Sequence, residues 1–152
     1  MSEVGSMAPD VEFELADGSR ATIASYRGKP LVVYFYPKDD TPGCTNEAKA
    51  FSALKPEFDK AGIAVLGVSK DSAKSHAKFI AKYALTVALA ADTEGALCEA
   101  FGTWVEKAMY GRTYMGIERT SFLIDADGRI AQVWRKVKVP GHAESVLAAA
   151  TA

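Results

Sequence analysis

Two short runs interrupt the polar and apolar alternation of this chain, "LVVYFY" at 31–36 and "IAVLGVS" at 63–69. Apolar on every side and rich in β-branched and aromatic residues, they predict strands covered on both faces. Ahead of them, "VEFELADGSRATI" alternates and predicts a hairpin with Asp17-Gly18 at its turn. A second hairpin is expected in "RTSFLIDADGRIAQVWRKV", around Asp127-Gly128. From Pro42 onward the period changes to that of a helix, with Phe51, Leu54 and Phe58 on one face and Pro56 expected to kink or restart it. "SAKSHAKFIAKYA" predicts another helix with Ala73, Ala77, Ile80 and Ala84 along its apolar stripe. A short strand near Val87, a helix through "EGALCEAF" and a closing helix "HAESVLAAA" complete the pattern. The polar, glycine-containing "GTWVEKAMYGRTYMG" is assigned no element. The order β-α-β-α-β-α-β-β-α implies an α/β fold, a central mixed sheet with helices on both faces and an N-terminal β-hairpin. Neither GxGxxG nor GxxxxGK[ST] occurs, which argues against a dinucleotide or nucleotide fold.

Composition narrows the classes. A chain of 152 residues reads as a single domain, 1–152, and 49% hydrophobic with 24% charged residues is globular rather than disordered. A net charge of −1 gives no electrostatic case for nucleic acid or an acidic membrane. "MSEVGSMAPDVEF" lacks the apolar core of a secretion signal, and no apolar run approaches the ~20 residues of a spanning helix. Two cysteines are no disulfide framework, so a cytoplasmic location is expected.

One of those cysteines has an unusual setting. In "DDTPGCTNE", Thr41 suits an N-cap, Pro42 the first helical position, and Gly43 leaves the backbone uncrowded. Cys44 then falls at the third helical position, where unpaired N–H groups and the helix dipole favour a thiolate. The helix alone is not enough. Bringing a thiol from a pKa of ~8.5 to ~6 takes roughly 3.4 kcal/mol, and a helix end supplies ~0.3–1 and at most about 2. Apart from Lys38 no cation is close in sequence, so the fold must deliver an arginine or lysine from elsewhere.

"FYPKDDTPGCT" resembles the active-site loop of the peroxiredoxins, of the Q type also called bacterioferritin comigratory protein, whose Pro-x-x-x-Thr-x-x-Cys pattern falls on Pro37, Thr41 and Cys44. "VGSMAPDVEF", "FSALKPEFDKAGIAVLGVSKDSAKSH" and "GIERTSFLIDADGRI" extend the resemblance over nearly the whole chain. It implies a thioredoxin-like fold and a thiol-dependent peroxidase acting on hydrogen peroxide and organic hydroperoxides. Cys44 thiolate would become sulfenic acid. Arg119 would be the missing cation, stabilising charge on the oxygens together with the Thr41 hydroxyl and the Cys44 N–H. Pro37 would shield the thiolate, and Glu47 would orient Arg119. The family implies no metal or organic cofactor. Where many relatives carry a resolving cysteine, this chain has Lys49 or Ile80. A one-cysteine enzyme recycled by thioredoxin, glutaredoxin or a small thiol is therefore implied, as a monomer or weak homodimer.

Other features read blandly. Cys98 is expected to pack as a small apolar side chain, an unusual resolver being the alternative. His76 is expected half-buried and hydrogen-bonded, His142 at a helix start, and Asp39 and Asp40 as plain loop residues. Two cysteines and two histidines show no metal-ligand spacing. Lys70, Lys74, Lys78 and Lys82 form a solvated row, with an acidic reductase as its sharper reading. "VWRKVKV" reads as a protected sheet edge. A thioredoxin-like disulfide exchanger is disfavoured because no Cys-x-x-Cys is present. A redox-sensing binding protein or holdase switched by Cys44 stays open.

Overall fold

The computed structural model describes residues 3–152; Met1 and Ser2, which open the stretch read for a secretion signal, lie outside the described residues. The chain runs β1 (Glu12–Leu15), β2 (Arg20–Thr22), a 3₁₀ turn (Ile23–Tyr26), β3 (Leu31–Phe35), α1 (Pro42–Lys60), β4 (Ala64–Ser69), α2 (Ala73–Tyr83), β5 (Ala88–Ala91) and α3 (Ala96–Ala100). It continues through β6 (Trp104–Met109), β7 (Arg112–Ile117), β8 (Thr120–Ile124), β9 (Ile130–Trp134) and α4 (His142–Ala150). The main sheet has the order β2-β1-β5-β4-β3-β8-β9. Its centre is parallel, β3 with β4 and β4 with β5, and β8 and β9 add on antiparallel. The mixed sheet expected from the hairpins is thus present.

Central β3 is buried along its whole length, and its alternation assigns two cores. Leu31, Val33 and Phe35 join Leu97, Cys98, Phe101 and Phe122 on one face. Val32, Tyr34 and Tyr36 join Cys44, Phe51, Phe58, Phe79 and Val146 on the other. Helices α1, α2 and α4 therefore cover one face, and the short α3 lies on the opposite one. The Tyr34 and Phe51 rings stack with centroids 4.6 Å apart, locking α1 onto β3. Gly67 permits this arrangement, because a Cβ there would sit 2.7 Å from the Tyr34 hydroxyl.

Three expectations are corrected. Pro56 does not restart α1, which runs unbroken from Pro42 to Lys60. The Ser52 carbonyl, which proline cannot serve, accepts instead from the Thr86 hydroxyl at 3.2 Å, and Thr86 N–H donates to the Ser52 hydroxyl at 3.1 Å. Helix α2 buries His76 and Phe79 while Ala77 is exposed. Its apolar face is rotated from the alanine stripe, because large side chains rather than alanines fill the space over the sheet. Finally, 104–117 is a separate hairpin, β6 with β7, turning at Tyr110-Gly111 with φ of 53° and 77°. Two positive φ values make the tight turn that fits strand twist. Most of its side chains face solvent, so no alternation marked it in the sequence.

Candidate active site

Residues 36–41 join β3 to α1. Phe35, at the end of β3, lies opposite Val68 of β4 and Thr120 of β8. The antiparallel pairing thus sets the residue before Thr120 beside the start of α1, and that residue is Arg119. Its carbonyl accepts from Val137 N–H at 2.9 Å, which fixes the backbone there.

Thr41 is the N-cap of α1 by its extended backbone (φ −103°, ψ 155°), with Pro42 following at the first helical position. Its side chain does not cap, however. The hydroxyl donates to the Lys38 carbonyl at 2.9 Å and leaves the N–H groups of the first turn unclaimed by a side chain. Cys44, 2% exposed, receives the Arg119 Nη2–H at 3.3 Å from its Sγ. The other arm of the guanidinium, Nη1, donates to Glu47 Oε1 at 2.6 Å. Gly43 leaves room for this approach, since a Cβ there would stand 3.3 Å from Nη2. The cation demanded by the Cys44 setting is therefore brought from the short link between β7 and β8, distant in sequence.

Glu47 is almost fully buried. Burial pushes its carboxyl up to about 7, with the Arg119 charge and hydrogen bond pulling the other way. Burial works against the Arg119 charge too, but the facing Glu47 and Cys44 groups outweigh it and hold the guanidinium protonated. Among the described residues Glu47 Oε2 and the Tyr34 hydroxyl are buried side-chain atoms without a hydrogen-bond partner. Burial, and after it the Glu47 charge, lifts the Tyr34 phenol well above its usual range. His142 starts α4, as expected, and is buried, with Nε2 2.8 Å from the Ser121 hydroxyl. Burial, then the Arg119 charge, lowers it to about 4, so it stays neutral.

Pro37 is exposed and forms part of the wall of a cavity of about 470 Å³, with Lys38, Lys70, Trp104, Lys107 and Met115. The β6–β7 hairpin supplies most of the opposite wall. Two clefts of about 540 Å³ lie away from the Cys44–Arg119 contact, one near Lys29 and Val65 and one over the start of α2. The Pro37 cavity borders the loop between β3 and α1, but neither Cys44 nor Arg119 is part of its lining.

The remaining candidates separate. Cys98 is fully buried and belongs to the core on the other face of the sheet from Cys44. Lys49 and Ile80 hold no thiol; the Lys49 ammonium lies 5.4 Å from the Tyr83 ring centroid, and Ile80 packs into the core of the Cys44 face. The lysine row is broken up. Lys70 precedes α2 and sits 4.0 Å over the Trp104 ring, and Lys82 pairs with Asp40 at 2.7 Å. "VWRKVKV" meets the sheet edge only through Val133 and Trp134, where β9 ends. Sequence reasoning missed Asp39 and His76. Asp39 is buried rather than a plain loop residue, and His76 is fully buried rather than half-buried. The signal for His76 was available in the helical phase shared with Phe79. Among the described residues no group of three or more histidine, cysteine, aspartate or glutamate side chains could hold a metal ion, and no helix is long and apolar enough to cross a membrane.

Comparison with known proteins finds relatives of this chain. The AhpC/TSA family matches over residues 4–133. The Peroxiredoxin Bcp of Xanthomonas campestris is 53% identical over 140 residues, covering 92% of this chain and 88% of the relative. A solved structure of the bacterioferritin comigratory protein of the same organism, described for its alkyl peroxide reduction activity, superposes with a TM-score of 0.92 at 49% identity, covering 97% of each chain. A cysteine-to-serine variant of PrxQ from Xylella fastidiosa gives a TM-score of 0.93 at 42% identity, covering 98% of this chain and 95% of that one.

Proposed function

Since the chain belongs to the AhpC/TSA family, as a Q-type peroxiredoxin and hence a thiol-dependent peroxidase, we propose that Cys44 is its peroxidatic nucleophile and that the enzyme is of the one-cysteine type. The substrate is a hydroperoxide and the reductant a thiol. The observation that carries the assignment is the Arg119 fork, one arm on the Cys44 sulfur and the other on Glu47.

The thiolate attacks the near oxygen of the hydroperoxide in line. An S–O bond forms as the O–O bond breaks, and the departing oxygen takes a proton to leave as water or an alcohol. Arg119 first favours the thiolate and then stabilises charge spreading over the oxygens. The unclaimed N–H groups of the first α1 turn add donors, the Thr41 hydroxyl, its own hydrogen on the Lys38 carbonyl, accepts from the hydroperoxide O–H, and Pro37 restricts water at the cavity wall. Glu47 acts on Arg119, fixing the plane of the guanidinium. Cys44 sulfenic acid then condenses with an outside thiol, releasing water, and a second thiol regenerates Cys44 as a disulfide departs. Three features support an outside rather than internal thiol: lysine at 49, isoleucine at 80, and Cys98 across the sheet from Cys44. A single domain spanning 1–152, acting in the cytoplasm as a monomer or weak homodimer, fits this reading.

The test is peroxide consumption with excess dithiol. Many turnovers per chain are expected. Consumption that stops at one peroxide per chain would instead indicate a sensor that switches once.

A further inference from the structure

The loop carrying Pro37 and Thr41 is held largely from outside itself, by α2. Asp39, at its middle, accepts from the Tyr36 hydroxyl on Oδ1 at 2.6 Å. Its Oδ2 accepts from the Ser75 hydroxyl at 2.8 Å and contacts His76 Nδ1 at 2.7 Å. The Asp39 N–H donates to Asp71 Oδ2 at 2.9 Å. The next residue, Asp40, has a φ of 57°, costly for a residue with a side chain, and is gripped by the Tyr83 hydroxyl at 2.6 Å and Lys82 at 2.7 Å.

The His76–Asp39 contact is the unusual member. Its side chains are 0% and 4% exposed. His76 Nε2 stands 2.8 Å from the Ala90 carbonyl oxygen, which only accepts, so Nε2 carries hydrogen. A neutral imidazole has one N–H, so a second proton must occupy the Nδ1–Oδ2 contact, on the ring or on the carboxyl. A buried pair of this kind roughly breaks even against apolar residues of the same size, so stability does not account for it. Location does. Asp39 is two residues from Pro37 and two from Thr41, and His76 ties it through α2 to β5 in the centre of the sheet.

We propose that Asp39 and His76 are a positioning pair for the peroxide step, holding the 37–41 loop from α2 so that Pro37 and Thr41 meet the substrate at Cys44. The proposal rests on the peroxidase reading. Neither residue touches the reacting atoms; both act through the loop.

Two rates on the full chain separate positioning from thiolate formation. One is the second-order rate of Cys44 oxidation by hydrogen peroxide. The other is alkylation of Cys44 by iodoacetamide, which needs the thiolate but not the loop. Asp39→Asn turns an amide donor toward groups that already donate, and its peroxide rate is expected to fall by about tenfold or more with alkylation within about twofold. His76→Gln keeps one donor and should fall by roughly three- to tenfold, and Ser75→Ala by about two- to fivefold. Folded variants that react with peroxide at the parent rate overturn the proposal. So does a parallel fall in both rates, which would place the effect on the thiolate. Should Asp39→Asn not fold, His76→Gln and Ser75→Ala decide, and unchanged peroxide rates in the two overturn the pairing. An unmutated chain that fails to consume peroxide overturns the peroxidase reading and this proposal together.

Discussion

The two cysteines occupy the same kind of position and lead different chemical lives. Both are the third residue of a helix, Cys44 in α1 and Cys98 in α3, and both are shut away from solvent. In α3, Asp92 caps the first turn, its two carboxylate oxygens accepting from the N–H groups of Leu97 and Cys98 at 2.9 Å each. Burial first, and the Asp92 carboxylate second, push the Cys98 thiol far up. In α1 the would-be cap, Thr41, turns its hydroxyl to Lys38, and an arginine stands where the other helix has a carboxylate. Exposure therefore does not distinguish the proposed nucleophile from a packing residue here. The sign of the charge at the helix mouth does.

The largest expected effect is at the proposed nucleophile. Cys44→Ser, nearly equal in size and protonated at neutral pH, should abolish turnover in a coupled peroxidase assay while its circular dichroism matches the parent. Residual turnover would mean that the two helix mouths are not chemically distinct. Next comes the cation. Arg119→Lys retains charge but loses the fork that reaches Sγ and Glu47 together, and Arg119→Met loses both. Charge-assisted contacts of ~1.5–3 kcal/mol are at stake, so peroxide rates should fall by well over about tenfold.

A third prediction concerns pH. Glu47, lifted by burial to about 7, binds a proton in the folded chain that the unfolded chain releases above its ordinary 4.5. Its contribution to stability is complete below about 4.5 and is lost as pH rises through about 7. His142, lowered to about 4 from 6.5, has the opposite slope, with stability complete above 6.5 and lost as pH falls through about 4. In the parent the slopes oppose over the window they share. Glu47→Gln removes one, so its stability in urea melts should drop by on the order of 2–3 kcal/mol between pH 6.5 and 4. A parent and variant with parallel profiles would show that Glu47 does not titrate in that window. The smallest effect is at the other helix. Cys98→Ser should keep the peroxide rate within about twofold, since Cys98 lies across the sheet from Cys44 and a disulfide between them would require the sheet to open. One equivalent of peroxide should add one oxygen to the intact mass, trappable at Cys44. A loss of two hydrogens that vanishes in Cys98→Ser would break the contrast between the helices.

Much of this was legible in the sequence, for reasons visible in particular residues. The apolar runs at 31–36 and 63–69 are central strands, and the Asp-Gly pairs do turn hairpins, because burial on both faces and tight turns leave strong local marks. Arg119 was legible only through family resemblance. Nothing in "GIERTSFL" marks that arginine as facing Cys44; the β3–β8 register does. The hairpin at 104–117 was invisible because its faces are wet. Asp39 and His76 were missed because a loop aspartate and a helix histidine become a buried pair only once α2 is correctly rotated.

The β3–β8 register has a consequence for how this chain tolerates change in length. The separation between Cys44 and Arg119 is a lattice spacing, set by strands ~4.8 Å apart, and not a sum of the segments between them. Extra residues at the exposed Tyr110-Gly111 tip add a modest loop-closure term, ~0.6 kcal/mol per doubling of loop length, and leave that spacing alone. A single residue inserted between Arg119 and Thr120 acts in the opposite way. It moves the guanidinium one step along a period of two, to the wrong side of the sheet.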